Sequence, residues 1–311
     1  MKSKSSFSHI VQYSLMRVFL GICYILPWRL LYCLAKPAAQ LFQYLTKKKL
    51  SFIDENLARC FPDKSKEEIA HLKRKSYLQV LTVNLEFMKF FTLSTKRQQQ
   101  ILSSHIRIKS PELIQNLLDK NQSCILITAH FGNWEWLNAK LSRQFQGNYS
   151  SAYKTLKNPL VESYFWKLRM DSMHVGSKLG DKHKFVKNYF KDLRMQEKGE
   201  AQAKVYFMAS DQKPEKSQEK IRLTFLGRQT DFILGPEKLA RQKQLPMLYI
   251  KMLRTKAGYY TVTFTKIAYD QTKPLGEATK KYAELLEAQI QEQPESWLWC
   301  YNRWKGMKEV E

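Results

Sequence analysis

The chain is predicted to fold as an α/β domain, a mostly parallel central sheet flanked by helices, preceded by an N-terminal hydrophobic helix. Three observations carry that expectation. Beyond about residue 100, short continuous apolar runs alternate with stretches of helical period. Before that point only helical texture appears, and the first 46 residues are apolar and aromatic but broken by charge.

The apolar start runs from Ile10 to Leu45, interrupted by Arg17, Arg29 and Lys36, with Pro27 expected to kink it. Its longest uncharged run, Val18 to Trp28, covers about 16 Å at about 1.5 Å per residue, roughly half of a ~30 Å hydrocarbon core. A helix lying in the membrane interface therefore fits better than a spanning one, and Lys2, Lys4 and Lys47 to Lys49 make both flanks basic. No small-residue cleavage site follows the apolar stretch before Pro27, which argues against a cleaved signal peptide. Residues 1–46 are read as a membrane anchor and 47–311 as one catalytic domain, since no repeat or low-complexity linker divides the remainder.

Helices follow over Phe52 to Cys60 and Lys66 to Phe91, with Ser65 as N-cap and Glu68 three residues on completing a capping box. Ser123 to Thr128 (SCILIT) reads as a buried strand, followed by a tight turn and a helix from Trp134 to Phe145. Further strands are expected at Ser151 to Lys154, Lys204 to Ala209, Leu245 to Leu253 and Tyr259 to Ile267. Helices are expected at Leu160 to Met170, Lys182 to Met195, Pro236 to Gln242 and Glu277 to Gln291.

Charge narrows the partners. Lys and Arg total 52 against 28 Asp and Glu, a net +24, which favours an anionic membrane surface, an acidic protein or substrate, or nucleic acid. No helix-turn-helix or RNA-binding sheet signature supports nucleic acid, and neither a P-loop nor G-x-G-x-x-G follows a strand. The five cysteines are scattered without a C-x-x-C pair and read as reduced thiols of a cytoplasmic face. His174 and His183 flank a glycine-containing turn, but no carboxylate or cysteine completes a ligand set, so no metal is expected. The basic runs at Lys73 to Lys75 and Lys213 to Lys220 read as solvated faces.

Chemistry points to one place. His130 sits at the carboxyl end of the predicted strand, where α/β sheets bind ligands, and Glu135 follows five residues later in the first helical turn. An imidazole can deprotonate a hydroxyl near neutral pH, and a carboxylate on its other nitrogen would fix the tautomer. Gly132 permits the tight turn, and exposed N–H groups there could face an oxyanion or phosphate. The bare H-x-x-x-x-E spacing is weak, arising by chance roughly a few times in ten chains of this length.

The residues around it are more specific. The segment TAHFGNWEW resembles the signature of the lipid A late acyltransferases, the lauroyl and myristoyl transferase family within the glycerophospholipid acyltransferase superfamily. ENLARCFPDKS, from Glu55, AYKTLKNPL, from Ala152, ASDQKP with Asp211 and Gln212, and the terminal WLWCYNRWK are similar to that family's segments in the same order. The resemblance spans about residues 10 to 306. It implies a glycerol-3-phosphate acyltransferase-like fold, catalytic roles for His130 and Glu135, and substrate contacts from Gly132, Asn133, Tyr153, Lys154, Arg169, Asp211, Gln212 and Arg303. Lys154 stands where the family has arginine and Tyr301 where it has histidine, and lysine keeps the charge but loses the bidentate fork.

The resemblance further implies transfer of a fatty acyl chain to a hydroxyl of a lipid A precursor at the cytoplasmic face of the bacterial inner membrane. The co-substrate would be an acyl carrier protein or acyl coenzyme A thioester, with no resident cofactor, and an acidic carrier suits the basic chain. The alternatives are O-acylation of another membrane lipid, an aminolipid or lysophospholipid, and a non-catalytic basic module for membranes or nucleic acid.

Overall fold

The computed structural model describes residues 6–145, 148–173, 178–180 and 182–307. His174 lies outside the described residues, and His183 is exposed on a helix.

Helix α1 (Phe7–Ile25) is capped by the Ser6 hydroxyl, and α2 (Trp28–Thr46) begins after Pro27, whose missing N–H and fixed φ of −67° suit the helix entry. The expected kink is thus an elbow between two helices. Pro37 inside α2 is accommodated on an exposed face. Helix α3 (Phe52–Cys60) leads to α4 (Lys66–Phe91), where Ser65 Oγ accepts from Glu68 N and Glu68 Oε2 accepts from Ser65 N, the expected capping box. Both α1 and α2 rest on α4 through Cys23, Leu31, Ala35 and Leu85.

Next come α5 (Thr95–His105), β1 (Ile106–Ile108), α6 (Glu112–Asp119), β2 (Cys124–Thr128) and α7 (Trp134–Gln144). These are followed by β3 (Tyr149–Ala152), α8 (Pro159–Ser172), β4 (Lys178–Gly180), α9 (Lys182–Glu197) and β5 (Val205–Ala209). The chain continues through β6 (Lys220–Phe225), β7 (Arg228–Ile233), α10 (Gly235–Gln242), β8 (Met247–Lys256), β9 (Tyr259–Ile267) and α11 (Glu277–Glu292), ending in a short turn of 3-10 helix at Pro294–Ser296.

Seven strands form one sheet in the order β1-β9-β8-β2-β5-β3-β4. The pairs β8/β2, β2/β5, β5/β3 and β3/β4 are parallel, while β9 runs antiparallel to β8 and carries β1 parallel to itself at the edge. Strand β2 is buried on both faces, as its unbroken apolar sequence requires. Alternation divides its side chains: Ile125 and Ile127 join the core beneath α3, α9 and α11, and Cys124 and Leu126 the core beneath α5, α7 and α8.

Beyond the expected elements the chain forms α5, β1, α6, β4 and a hairpin, the last of which reaches the site. The end of the basic run at Lys220 opens a two-stranded hairpin, β6 with β7, turned by Leu226 and Gly227 at positive φ (51° and 72°). Both central residues at positive φ give the turn whose twist matches the strands.

Candidate active site

Parallel register builds the site. Thr128 at the end of β2 pairs with Ala209 at the end of β5, and Ser210 N donates to Thr128 O at 3.0 Å. Two residues beyond that pair stand His130 on one strand end and Asp211 on the other. His130 Nδ1 donates to Asp211 Oδ1 at 2.7 Å, and Trp297 Nε1 donates to Asp211 Oδ2 at 2.9 Å. With both carboxylate oxygens accepting, Nδ1 carries the ring proton and Nε2 is left as the basic atom.

Burial alone would raise the Asp211 pKa, but the charge and hydrogen bond of His130, with the Trp297 bond, outweigh it and hold the carboxyl below its usual range. Burial likewise disfavours the imidazolium, yet Asp211's charge and hydrogen bond, joined by the charge of Glu135, hold the His130 pKa above its ordinary value.

Glu135 does not hold the ring. Its carboxylate accepts from Arg169 Nη2 at 2.6 Å and Arg169 Nε at 3.2 Å, a bidentate pair between α7 and α8. The expectation that Glu135 orients His130 is therefore corrected: the strand ends bring Asp211 to the ring, while Arg169 draws Glu135 aside. Arg169 also donates to Tyr153 Oη at 3.3 Å and lies over the Tyr153 ring at 4.8 Å. The Tyr153 hydroxyl in turn donates to Glu162.

The turn itself has a structural logic. Gly132 adopts φ +57°, a conformation suited to glycine, and its N–H donates to Ser296 O at 3.0 Å. Asn133 caps α7, its Oδ1 accepting from Trp136 N at 3.1 Å, and is wholly buried. Sequence places these two residues on the substrate; the structure commits the Gly132 N–H and the Asn133 side chain to shaping the turn. Arg303 is corrected in the same sense, being 0% exposed, donating to the Asp231 carbonyl and lying over the Phe232 ring at 5.0 Å. It supports the site from the core, where its charge interacts with Asp211.

A cleft of about 530 Å³ opens beside His130. Tyr153, Lys154 and Gln212 line its polar side, and Phe185, Val186, Met208, Ile233, Pro236 and Leu239 make an apolar wall. The hairpin that sequence reasoning missed supplies Ile233, and the Glu219–Lys238 pair sits at the exposed rim. Among the described residues no group of three His, Cys, Asp or Glu is placed to hold a metal ion.

Sequence reasoning also missed the support of Trp297 and of Glu86, a buried carboxyl behind the turn. The sequence signal was that each of two apolar runs, ending at Thr128 and Ala209, is followed two residues on by a titratable side chain, His130 and Asp211; that the strands are neighbours was not in it.

The family model of the bacterial lipid A biosynthesis acyltransferases matches residues 1–306. No curated protein matches the chain.

Proposed function

Since the chain belongs to the bacterial lipid A biosynthesis acyltransferases and is an O-acyltransferase acting in lipid A synthesis, we propose that it moves a fatty acyl chain from a thioester donor to a hydroxyl of a lipid A precursor. The donor is acyl carrier protein or acyl coenzyme A, and no resident cofactor takes part. The observation that carries this reading is the His130–Asp211 pair at the mouth of an apolar cleft.

In this reading His130 Nε2 takes the proton of the acceptor hydroxyl as its oxygen attacks the thioester carbonyl. The tetrahedral oxyanion collapses to the ester, the C–S bond breaks, and the imidazolium returns the proton to the leaving thiolate. Asp211 holds the ring and stabilises the imidazolium. The apolar wall receives the acyl chain, whereas Lys154, Gln212 and Tyr153 meet polar groups of acceptor or donor. Arg169, neutralised by Glu135, fixes Tyr153 at the cleft. Glu135 contributes charge behind the base.

The acceptor is a membrane lipid, and the N-terminal helices provide the approach to it. Among the described residues, all exposed large hydrophobic side chains except Leu113, Leu156 and Phe190 lie on α1 and α2. No described helix is long and apolar enough to cross a membrane. This face suits monotopic seating on the cytoplasmic side of the inner membrane, with the basic chain meeting anionic headgroups and an acidic carrier.

The test is acylation of a tetra- or penta-acylated lipid A precursor, followed by mass spectrometry. A single added acyl mass that disappears in a folded His130→Ala variant supports the reading. Undiminished transfer by that variant would sink it.

A further inference from the structure

Glu86 lies within α4 with none of its side chain exposed. Three donors from three elements converge on it: Tyr32 Oη of α2 at 3.2 Å on Oε1, then Asn133 Nδ2 at 2.9 Å and Tyr260 Oη of β9 at 2.5 Å on Oε2. A buried carboxyl needs such donors. Both ends of the Asn133 amide are therefore engaged, the nitrogen on Glu86 and the oxygen as the cap of α7.

The catalytic turn is thus held from two sides. The C-terminal segment grips its backbone, with Leu298 N donating to His130 O at 3.2 Å and Gly132 N to Ser296 O at 3.0 Å. Asn133 ties the other side to α4. One turn along α4, Lys89 Nζ donates to Tyr24 O at 2.8 Å and Leu26 O at 2.7 Å, fixing the α1–α2 elbow. Trp28, just beyond that elbow, packs edge-on against Trp136 of α7 at 5.9 Å.

We propose that Glu86 is a positioning residue for acyl transfer: it holds Asn133, and through Asn133 the His130–Glu135 turn, in register with the N-terminal helices. The inference rests on His130 being the base. Glu86 meets no reacting atom; it acts because a misplacement of about 1 Å at a reacting group lowers turnover on the order of 100-fold.

Two substitutions at one position separate positioning from charge. In Glu86→Gln the amide oxygen still accepts from Asn133 and Tyr260, and the amide nitrogen donates to Tyr32 Oη, whose hydroxyl can turn to accept. In Glu86→Leu the Asn133 amide loses its acceptor. The readouts are kcat and KM for transfer from dodecanoyl coenzyme A to a tetra-acylated lipid A precursor, and amide hydrogen exchange over residues 130–137. Expected for Glu86→Leu is a kcat loss of about 100-fold with KM changed less than about twofold, and exchange faster by about tenfold. Glu86→Gln should keep kcat and exchange within about threefold of the parent. Asn133→Ser retains a good helix cap but cannot reach Glu86, so it should reproduce the Leu phenotype with the fold retained by circular dichroism and Tm lowered by the donor that Glu86 loses, and it decides the matter if Glu86→Leu fails to fold.

Parental kcat and exchange in Asn133→Ser would overturn the proposal, as would a Glu86→Gln variant as impaired as Glu86→Leu. If the parent transfers no acyl group to this acceptor from either dodecanoyl coenzyme A or dodecanoyl acyl carrier protein, that counts against the lipid A reading, while hydrogen exchange still decides the role of Glu86.

Discussion

Asp211 and Glu135 both place a carboxylate within electrostatic reach of His130, yet Asp211 bonds the ring at 2.7 Å, whereas Glu135 is turned into a bidentate pair with Arg169. The two regions are built differently. Asp211 arrives through sheet register, from a strand end 81 positions away in the chain. Glu135 sits on the first turn of α7, five residues past His130, and faces α8. Proximity in sequence thus mattered less than the pairing of two parallel strands. It also sorts the charges: the partner charge of buried Asp211 is the imidazole itself, while Glu135 is balanced by a permanent guanidinium.

The largest effect should come from His130, the proposed base. His130→Ala is expected to lower kcat about 10³- to 10⁴-fold with the fold retained by circular dichroism, and Asp211→Asn about 10²- to 10⁴-fold by losing the productive tautomer. An Asp211→Asn enzyme weaker than the parent by less than about fivefold would break the comparison. The α7–α8 pair should act first on stability. Arg169→Met leaves Glu135 unbalanced and partly buried, costing about 2–3 kcal/mol in urea unfolding, and Glu135→Gln in the same background should recover part of it. Full additivity of the two losses would show that the pair is not coupled.

The pH profile sharpens the contrast further. Because a base at His130, as proposed, works only when neutral and the His130 pKa is raised, kcat/KM should fall with acid from a pH above the ordinary imidazole value of ~6.5. Asp211→Asn should move that limb to lower pH, and Glu135→Gln should move it less. For stability, His130 is raised and Asp211 lowered, so their interaction contributes fully between the ordinary carboxyl and imidazole values, ~3.9 and ~6.5. It is lost as pH rises from there through the raised pKa of His130, or falls through the lowered pKa of Asp211. Smallest is Lys154→Arg, expected to shift KM by less than about threefold, since this exposed residue carries the same charge either way.

Much of the fold was legible where local rules suffice. Helix α4 begins and ends as its capping box and apolar spacing dictate, and the all-apolar SCILIT run is the buried centre of the sheet. Edge strands of three residues, β1 and β4, carry too little pattern to be read. The β6–β7 hairpin hid because its turn is Leu-Gly, without the Asn-Gly or Asp-Gly signal, and because it opens on a basic run. The site divides in the same way: His130 was visible at its strand end, but the partnership with Asp211 depends on strand order, which no local pattern contains. Glu86 is the plainest case, a glutamate inside NLEFMKFF that looks like an ordinary helical polar position until Tyr32, Asn133 and Tyr260 close around it.

The central claim, that Asp211 and not Glu135 governs the His130 ring, is tested most directly by ¹⁵N NMR titration of His130 in the parent, Asp211→Asn and Glu135→Gln proteins. The account predicts an Nδ1-protonated neutral ring with a pKa above ~6.5 in the parent, a clear fall in pKa with loss of that tautomer in Asp211→Asn, and a smaller fall with the tautomer kept in Glu135→Gln. A ring that keeps its pKa and tautomer without the Asp211 carboxylate, and loses them without that of Glu135, would contradict it.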